Sequence, residues 1–199
     1  MNDINEIKNL IMNNDGYIFE NDINEYNMDE SFLKSMIDLE IIEKVEENIY
    51  ISRDVFPDSY FILQNMYPKI VFSNITALYF YGIGTVMNYE HYNLNIPYNY
   101  QKDNLKSHFL NELDDEIYQL GLTKIKTPFG NYVNTYDLER VICDLLVNHD
   151  FLDIDQYAYC LKDYLKRKDK DLNKLYIYSK KLKISDDKMD VILVLNELI

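Results

Sequence analysis

The spacing of apolar residues changes from helical to alternating within about the first fifty positions, and this change restricts the possible folds more than any other feature. Apolar side chains recur every three or four residues over Ile4–Ile11, Ile23–Tyr26 and Phe32–Ile37, which is typical of short amphipathic helices. Ile41–Val45 and Ile49–Ser52 alternate instead, on either side of a turn. The pattern therefore predicts three helices followed by a β-hairpin.

This order of elements is that of a winged helix-turn-helix, and it assigns residues 1–55 to one domain. Gly16 is predicted to end the region of the first helix, with a short extended piece at Tyr17–Phe19 after it. Asn27 stands three residues before Glu30, which predicts a capping-box start for the third helix. The overall fold class is predicted to be α+β.

The second domain is predicted to span residues 56–199, with a mixed α/β middle region over 56–150 and a helical tail over 151–199. The expected elements of the middle region are a helix capped by Ser73, a strand over Tyr92–Ile96, a helix over Leu105–Leu120, a hairpin formed by Thr123–Thr127 and Tyr132–Asn134, and a helix capped by Thr135. Three further apolar stripes with helical spacing predict the tail.

Composition narrows the class of protein. The chain has 199 residues, 47% of them hydrophobic, which is enough for a packed core and excludes wholesale disorder. No apolar run approaches the roughly 18 residues that indicate a membrane span, and the start lacks the pattern of a signal peptide. We therefore expect a cytoplasmic protein without a membrane partner. Cys143 and Cys160 are expected to be small buried residues.

The distribution of charge matters more than the total of −14. Residues 1–50 carry 13 acidic and 3 basic side chains, whereas residues 151–199 carry 9 acidic and 10 basic ones. Proteins that bind a DNA duplex normally present a basic face to the phosphates. The tail therefore offers a more favourable surface for nucleic acid than the N-terminal domain does.

Motifs of known catalytic chemistry are absent from the sequence. His91, His108 and His149 have no second ligand at metal-binding spacing, and no Walker loop, nucleophile elbow or dinucleotide fingerprint occurs. Asp114-Asp115-Glu116 is acidic enough to hold a cation, but a solvated helix face is the favoured interpretation. We expect no catalytic residues, no metal and no cofactor, so the protein is not expected to be an enzyme.

The ordered set of elements resembles the AbiEi antitoxin family of abortive-infection, or type IV toxin–antitoxin, systems. Three pieces carry the resemblance: the N-terminal domain ending in the strand Asn48-Ile49-Tyr50, the segment Lys69–Gly82, and the segment Thr135–Asp144. The last piece, with Glu139-Arg140 followed by Cys143-Asp144, is the most specific. The likeness spans nearly the whole chain.

Membership of this family implies a phage-defence antitoxin that represses its own operon by binding promoter DNA. It also implies that residues 56–199 form the antitoxin domain. The implied partner is a nucleotidyltransferase-like toxin encoded by the neighbouring gene, which most members counteract without forming a stable complex.

Two surfaces are candidates for contact with DNA. On the third helix, Ser31, Lys34 and Ser35 occupy the face that a helix-turn-helix presents to the major groove. The tail contributes a basic set, for which a solvated helical surface is the alternative interpretation: Lys162, Lys166, Arg167, Lys168, Lys170 and Lys174. Glu139, Arg140 and Asp144 are predicted to be structural, because Arg140 and Asp144 lie one helical turn apart and can form an ion pair.

A second hypothesis follows from the acidic turn Glu46-Glu47-Asn48, where the resemblance leads us to expect a basic residue and glycine. In this alternative the protein is a protein-binding antitoxin or adaptor whose acidic winged helix no longer binds DNA. A minor catalytic alternative rests only on the acidic cluster at 114–116 and His91.

Overall fold

The computed structural model describes residues 4–84, 91–101, 105–148 and 152–198. The chain divides into two compact units, the first formed by Met1–Met66 with Phe129–Asn131 and the second by Tyr67–Pro128 with Tyr132–Ile199. The predicted α+β class is confirmed, since helices accompany two separate sheets. The first unit continues to Met66, whereas the sequence predicts a domain boundary after residue 55.

In its described residues, the first unit combines four helices with a small antiparallel sheet. Its elements are α1 (Ile4–Asn13), β1 (Tyr17–Ile18), α2 (Glu20–Glu25), α3 (Glu30–Asp38), β2 (Ile42–Glu46), β3 (Ile49–Ser52) and α4 (Ser59–Met66). The strand order is β1-β3-β2, so β3 is the central strand and pairs with β1 on one side and with β2 on the other. The three helices and the hairpin that follows them were predicted, and these elements are confirmed.

Local chemistry explains where the elements of the first unit begin and end. Asp29, not Asn27, caps α3, because its carboxylate accepts a hydrogen bond from the Phe32 amide at 2.7 Å. Asn27 has a φ of +47° and belongs to the link between α2 and α3. Gly16 has a φ of +92°, and a Cβ there would lie 2.4 Å from Val55, so only glycine fits this close approach.

The second unit is built on a mixed five-stranded sheet. Its elements are β4 (Val71–Phe72), α5 (Asn74–Phe80), β5 (Asn93–Pro97), β6 (Phe109–Leu113), α6 (Asp115–Gln119), β7 (Leu122–Lys126), β8 (Tyr132–Tyr136), α7 (Leu138–Val147), α8 (Ile154–Lys166), α9 (Leu172–Lys181) and α10 (Asp186–Leu198). The strand order is β6-β5-β4-β8-β7. The β4–β8 and β5–β6 pairs are parallel, and the other two pairs are antiparallel.

The predicted helix over Leu105–Leu120 is wrong. Residues Phe109–Leu113 form β6 instead, paired in parallel with β5 at five successive positions. Only Asp115–Gln119 is helical, and Asp114 caps this short helix by accepting from the Ile117 amide at 2.9 Å. Pairing with β5 supplies hydrogen-bond partners along one side of residues 109–113, so tertiary pairing overrides their local preference.

Two predicted caps act differently from expectation. Ser73 stands at the start of α5, but its hydroxyl donates to Asn95 Oδ1 at 3.1 Å rather than capping the helix. Thr135 lies inside β8 and donates to the Phe72 carbonyl at 2.9 Å. Asp137 caps α7 in its place, with its carboxylate accepting from the Arg140 amide at 3.1 Å.

The core of the second unit lies between its sheet and helices α5, α7, α8, α9 and α10. It includes the prominent buried face of α7 and both cysteines, which are free and buried as predicted. Strand β5 is buried on both faces, because Asn93 and Asn95 are almost as inaccessible as Leu94 and Ile96. Within the described residues, every helix is too short or too polar to cross a lipid bilayer.

Candidate functional site

The outer face of α3 is exposed, as a surface that contacts a partner must be. Leu33 and Met36 are buried, and Ser31, Lys34 and Ser35 point to solvent. The two hydroxyl groups are engaged locally, since Ser31 Oγ donates to Asp29 Oδ1 at 2.7 Å and Ser35 Oγ donates to the Ser31 carbonyl at 2.8 Å. The Lys34 ammonium has no ion pair among the described residues. It is therefore the one candidate cation on this face.

The turn of the hairpin β2–β3, which follows α3 in the sequence, carries two carboxylates. Glu46 and Glu47 are exposed, and Asn48 takes a left-handed φ of +57° that closes the turn. The Asn48 side-chain amide donates to Glu20 at 3.5 Å, a long bond within the same unit. The turn accordingly presents negative charge at the position where a winged helix would approach phosphate.

The basic residues of the tail separate into two groups. Lys162 and Lys166 lie one turn apart on α8, and Lys168 follows in the next loop; all three are exposed. We call these three residues the tail lysines. They form no ion pair within the described part of the chain, so their charge is accessible to a partner.

The other three basic residues of the set form contacts within the second unit: Arg167, Lys170 and Lys174. Arg167 forms a two-pronged ion pair with Asp169, both contacts at 2.9 Å, and also donates to the Tyr81 carbonyl at 3.1 Å. Lys170 donates to the Leu165 carbonyl at 2.6 Å, near the end of α8. Arg167 and Lys174 are paired with carboxylates, and Lys170 has one hydrogen bond to a neutral carbonyl, so the tail lysines are the members of the predicted basic set that make no such contact among the described residues.

Arg140 is the centre of a buried polar cluster on α7. It is 1% exposed, its Nε lies 2.9 Å from Asp144 Oδ1, and its Nη1 donates to the carbonyls of Ile117 and Leu120 at 2.7 and 2.9 Å. The guanidinium carbon lies 4.4 Å from the centre of the Tyr136 ring. The predicted ion pair between Arg140 and Asp144 is confirmed, and it ties α7 to α6.

Glu139 and Asp137 connect α7 to the tail. Glu139 is buried and accepts from the Asp171 amide at 3.0 Å, where α9 begins. Asp137 accepts from Tyr178 Oη at 2.9 Å and lies 2.9 Å from the Lys174 ammonium. The same ammonium lies 3.7 Å from Glu139. These four side chains fix α9 against the first turn of α7.

Burial controls the protonation of this cluster. Desolvation raises the pKa of Asp144, and the adjacent Arg140 opposes that rise. Burial raises the pKa of Cys143 and of Tyr178 to about 12 in each case. The hydrogen bond to Asp137 raises the pKa of Lys174, so this ammonium keeps its charge. Cys143 stays a thiol near neutral pH, and thiols are poor nucleophiles.

His108 is engaged within the second unit. His108 Nδ1 accepts from the Tyr92 amide at 3.1 Å, and the two rings stack. Burial lowers the pKa of His108, with a further contribution from His91. His149 lies outside the described residues. In the described ranges, no three acidic, histidine or cysteine side chains come together closely enough to hold a metal ion.

One buried polar residue of the first unit was missed by sequence reasoning. Asp58 is fully buried and accepts from the Tyr60 and Phe61 amides at the start of α4, at 3.1 and 3.2 Å. Its second oxygen accepts from Asn131 at 2.9 Å. An Asp directly before a helix is a capping signal, but its bond to a residue so distant in sequence has no local signature.

A cavity of about 350 Å³ lies between α5 and α8 in the second unit. Aliphatic residues Ile75, Leu78 and Ile83 line it, together with Tyr159 and Cys160. Burial raises the pKa of the Cys160 thiol, so the cavity presents no thiolate near neutral pH. Asp155 and Gln156 also line it, so the lining is mostly, not wholly, apolar.

No family model and no curated protein sequence matches this chain.

Proposed function

We propose that the protein is an antitoxin of a type IV toxin–antitoxin system, which counteracts a nucleotidyltransferase-like toxin and represses its own operon by binding DNA. The observation that carries the proposal is the exposed outer face of α3, a helix followed directly by a two-stranded hairpin. This is the arrangement in which a winged helix presents its recognition helix to the major groove. The sequence resemblance to the AbiEi family supplies the antitoxin role.

The positive charges available for DNA contact belong to two groups of lysines, one on α3 and one in the tail. Lys34 is the base-reading candidate on α3, and the tail lysines Lys162, Lys166 and Lys168 are candidates for phosphate contact. Phosphate contacts give affinity and orientation, whereas contacts to base edges give sequence preference. Replacing the two groups is therefore expected to have different effects.

A mobility-shift titration of the full chain with its own promoter duplex, at several salt concentrations, tests DNA binding. Replacing the three tail lysines with Gln should lower the slope of log affinity against log salt by about 2 to 3, because each phosphate contact contributes roughly 0.9. Lys34→Ala should also weaken binding and reduce the preference for the promoter. The matched control, Lys8→Gln with Lys181→Gln and Lys183→Gln, removes the same charge from other exposed positions. Equal affinity for promoter and random duplex would contradict autorepression.

The antitoxin role has a separate test in growing cells. Expression of the nucleotidyltransferase-like protein encoded next to this gene should arrest growth, and co-expression of this chain should restore it. Absence of such a neighbour, or arrest that this chain does not relieve, would count against the proposal.

A second candidate function is favoured by the exposed pair Glu46 and Glu47. Carboxylates on the hairpin turn repel phosphate but complement a basic protein surface, and complementary charge accelerates association. In this alternative the first unit docks directly on a basic partner, and the antitoxin acts through a complex.

Size-exclusion chromatography with the neighbouring gene product distinguishes the two candidates. Co-elution that Glu46→Gln with Glu47→Gln abolishes would support docking through the hairpin turn. The control Asp190→Asn with Glu197→Gln changes two exposed carboxylates on α10 and should leave co-elution intact. Two separate peaks for the wild-type proteins would exclude a stable complex.

A further inference from the structure

The strands of the second unit contain very little of the chain's acidic charge. Residues 59–89 and 117–136 include no Asp or Glu, although the whole chain has 34 acidic residues in 199. These two segments supply β4, β7 and β8, three neighbouring strands of the five-stranded sheet. Although the protein has a net charge of −14, strands β4, β7 and β8 contain no carboxylate that could neutralise the charge of a lysine on them.

Three exposed lysines and one exposed tyrosine lie at the same end of these strands. Lys126 is directly opposite Tyr132 in the antiparallel β7–β8 pair, and Lys124 is opposite Asn134. Lys69 lies in the turn just before β4, and this turn is brought beside β8 because Asn134 Nδ2 donates to the carbonyls of Pro68 and Ile70 at 3.1 and 3.4 Å. Directly opposite residues point to the same face of a sheet. We call Lys69, Lys124, Lys126 and Tyr132 the lysine–tyrosine patch.

The geometry of the patch is fixed by its neighbours. Tyr118 Oη donates to the Lys69 carbonyl at 2.8 Å. Asn134 Nδ2 donates to the Pro68 carbonyl at 3.1 Å, so the backbone on both sides of Lys69 is held. The Lys126 ammonium lies 5.4 Å from the centre of the Tyr132 ring, and Tyr132 as a residue remains 56% exposed.

The charge of the patch is available. None of its three ammonium groups is paired with a carboxylate within the described ranges. The acidic run Asp114–Glu116 begins α6, whose Tyr118 contacts the Lys69 carbonyl, but none of its carboxylates forms an ion pair with the three lysines among the described residues. Lysines on an edge strand sometimes have no role beyond preventing that strand from pairing with another sheet. This alternative would account for Lys124 and Lys126. That role does not account for Lys69, which precedes a central strand, or for the exposed ring.

We infer that the lysine–tyrosine patch binds single-stranded nucleic acid. The ammonium groups contact successive phosphates, and a base stacks on the Tyr132 ring, the combination by which sheet surfaces bind unpaired strands. A duplex fits this site poorly because its bases are already stacked on one another and cannot reach the ring. The patch shares no residue with α3 or the tail lysines, so the inference stands independently of the promoter binding proposed above.

Fluorescence anisotropy of labelled twelve-nucleotide oligomers (about the length covered by a small binding fold) tests this inference, with single-stranded RNA, single-stranded DNA and a duplex of the same sequence. We expect the full chain to prefer single strands. Replacing Lys69, Lys124 and Lys126 with Gln should lower the slope of log affinity against log salt by about 2, at roughly 0.7 per phosphate contact. The control Lys8→Gln with Lys181→Gln and Lys183→Gln should retain the wild-type slope.

The tyrosine has its own test. Tyr132→Leu should weaken binding about tenfold by removing the stacking surface, and Tyr132→Phe should restore it. Tyr176→Leu is the matched control, because Tyr176 is 51% exposed and also lies beneath a lysine, Lys180, at 5.0 Å. Circular dichroism confirms that each variant is folded.

Three outcomes would overturn the inference: no binding to any single strand, tighter binding to the duplex than to either strand, or equal losses in the patch and control variants. Competition by polyglutamate as effective as that by unlabelled oligomer would also overturn it, because that result would indicate charge attraction without recognition of bases. Promoter duplex binding can fail while these measurements succeed, so the two proposals are tested separately.

Discussion

At the scale of single residues, Arg140 is the side chain on which the second unit depends most. Its guanidinium is almost fully buried, and three of its hydrogen bonds go to Asp144 and to two carbonyls near α6. Gly121 reinforces this arrangement, because a Cβ there would lie 2.9 Å from the Arg140 Cβ. A buried cation of this kind is tolerated only when its partners are all in place.

Arg140→Met should lower the free energy of unfolding by about 3 to 5 kcal/mol, because it leaves a buried carboxylate and two carbonyls without their donor. Urea denaturation followed by circular dichroism measures the change. The control is Arg53→Met, whose half-exposed side chain lies 3.7 Å from Glu40 and should cost less than about 1 kcal/mol. Similar losses in the two variants would contradict the assigned role.

The same pair predicts a pH dependence. The pKa of Asp144 is raised in the folded protein, so the folded state holds that proton more tightly than the unfolded chain does. The carboxyl therefore adds stability at low pH, and this stability is lost as pH rises through the folded pKa. Arg140→Met removes the charge that opposes the rise, so its destabilisation should be larger at about pH 8 than at about pH 5. A loss of stability independent of pH would contradict this.

At the scale of elements, α7 is held at its first turn by one carboxylate that has two tasks. Asp137 caps the helix and also binds Tyr178 and Lys174 of α9. Asp114 is a cap of the first kind alone, since among the described residues its carboxylate accepts a hydrogen bond from the Ile117 amide and from no other group. Comparing variants of Asp137 and Asp114 therefore separates the stability contributed by a helix cap from the stability contributed by a contact between helices.

Asp137→Ala should therefore destabilise the protein by about 2 to 4 kcal/mol, whereas Asp114→Ala should cost about 1 kcal/mol, the usual value of a cap. Asp137→Asn should fall between them, because Asn also caps helices but cannot pair with the ammonium. Denaturant unfolding of the three variants under identical conditions gives the order. An Asn variant as unstable as the Ala variant would show that the ion pair, not the cap, matters.

At the scale of the whole molecule, the negative charge is concentrated rather than spread. Residues 1–50 carry a net charge of −10 out of −14, and they lie in the first unit. Carboxylates crowded on one unit repel one another and destabilise its compact state. The two units should consequently respond differently to salt.

Raising the ionic strength from about 0.01 M to about 0.15 M shortens the Debye length from about 30 Å to about 8 Å. We expect amide hydrogen exchange to slow more in the first unit than in the second, because screening relieves more repulsion there. Repeating the measurement near pH 4, where carboxylates begin to take up protons, should reduce the difference. Equal salt responses in both units would contradict this prediction.

Local sequence rules predicted the elements whose signal is contained in a few neighbouring residues. The helices α1–α3, the two hairpins and the three tail helices follow from apolar spacing and turn residues, and the Arg140–Asp144 pair follows from its one-turn separation. These interactions join residues close in the chain, so local pattern determines them.

Only the tertiary structure decided the features that depend on distant partners. Strand β6 exists because β5 supplies its backbone partners, Ser73 and Thr135 bond across strands rather than cap helices, and Asn131 joins Asp58 in the first unit. Tertiary packing also engaged Arg167, Lys170 and Lys174 in contacts within the second unit and brought the turn that carries Lys69 beside Asn134 of β8. The sequence determined which residues carry charge, but the fold determined which charges remain available, because a charge is neutralised by its neighbours in space.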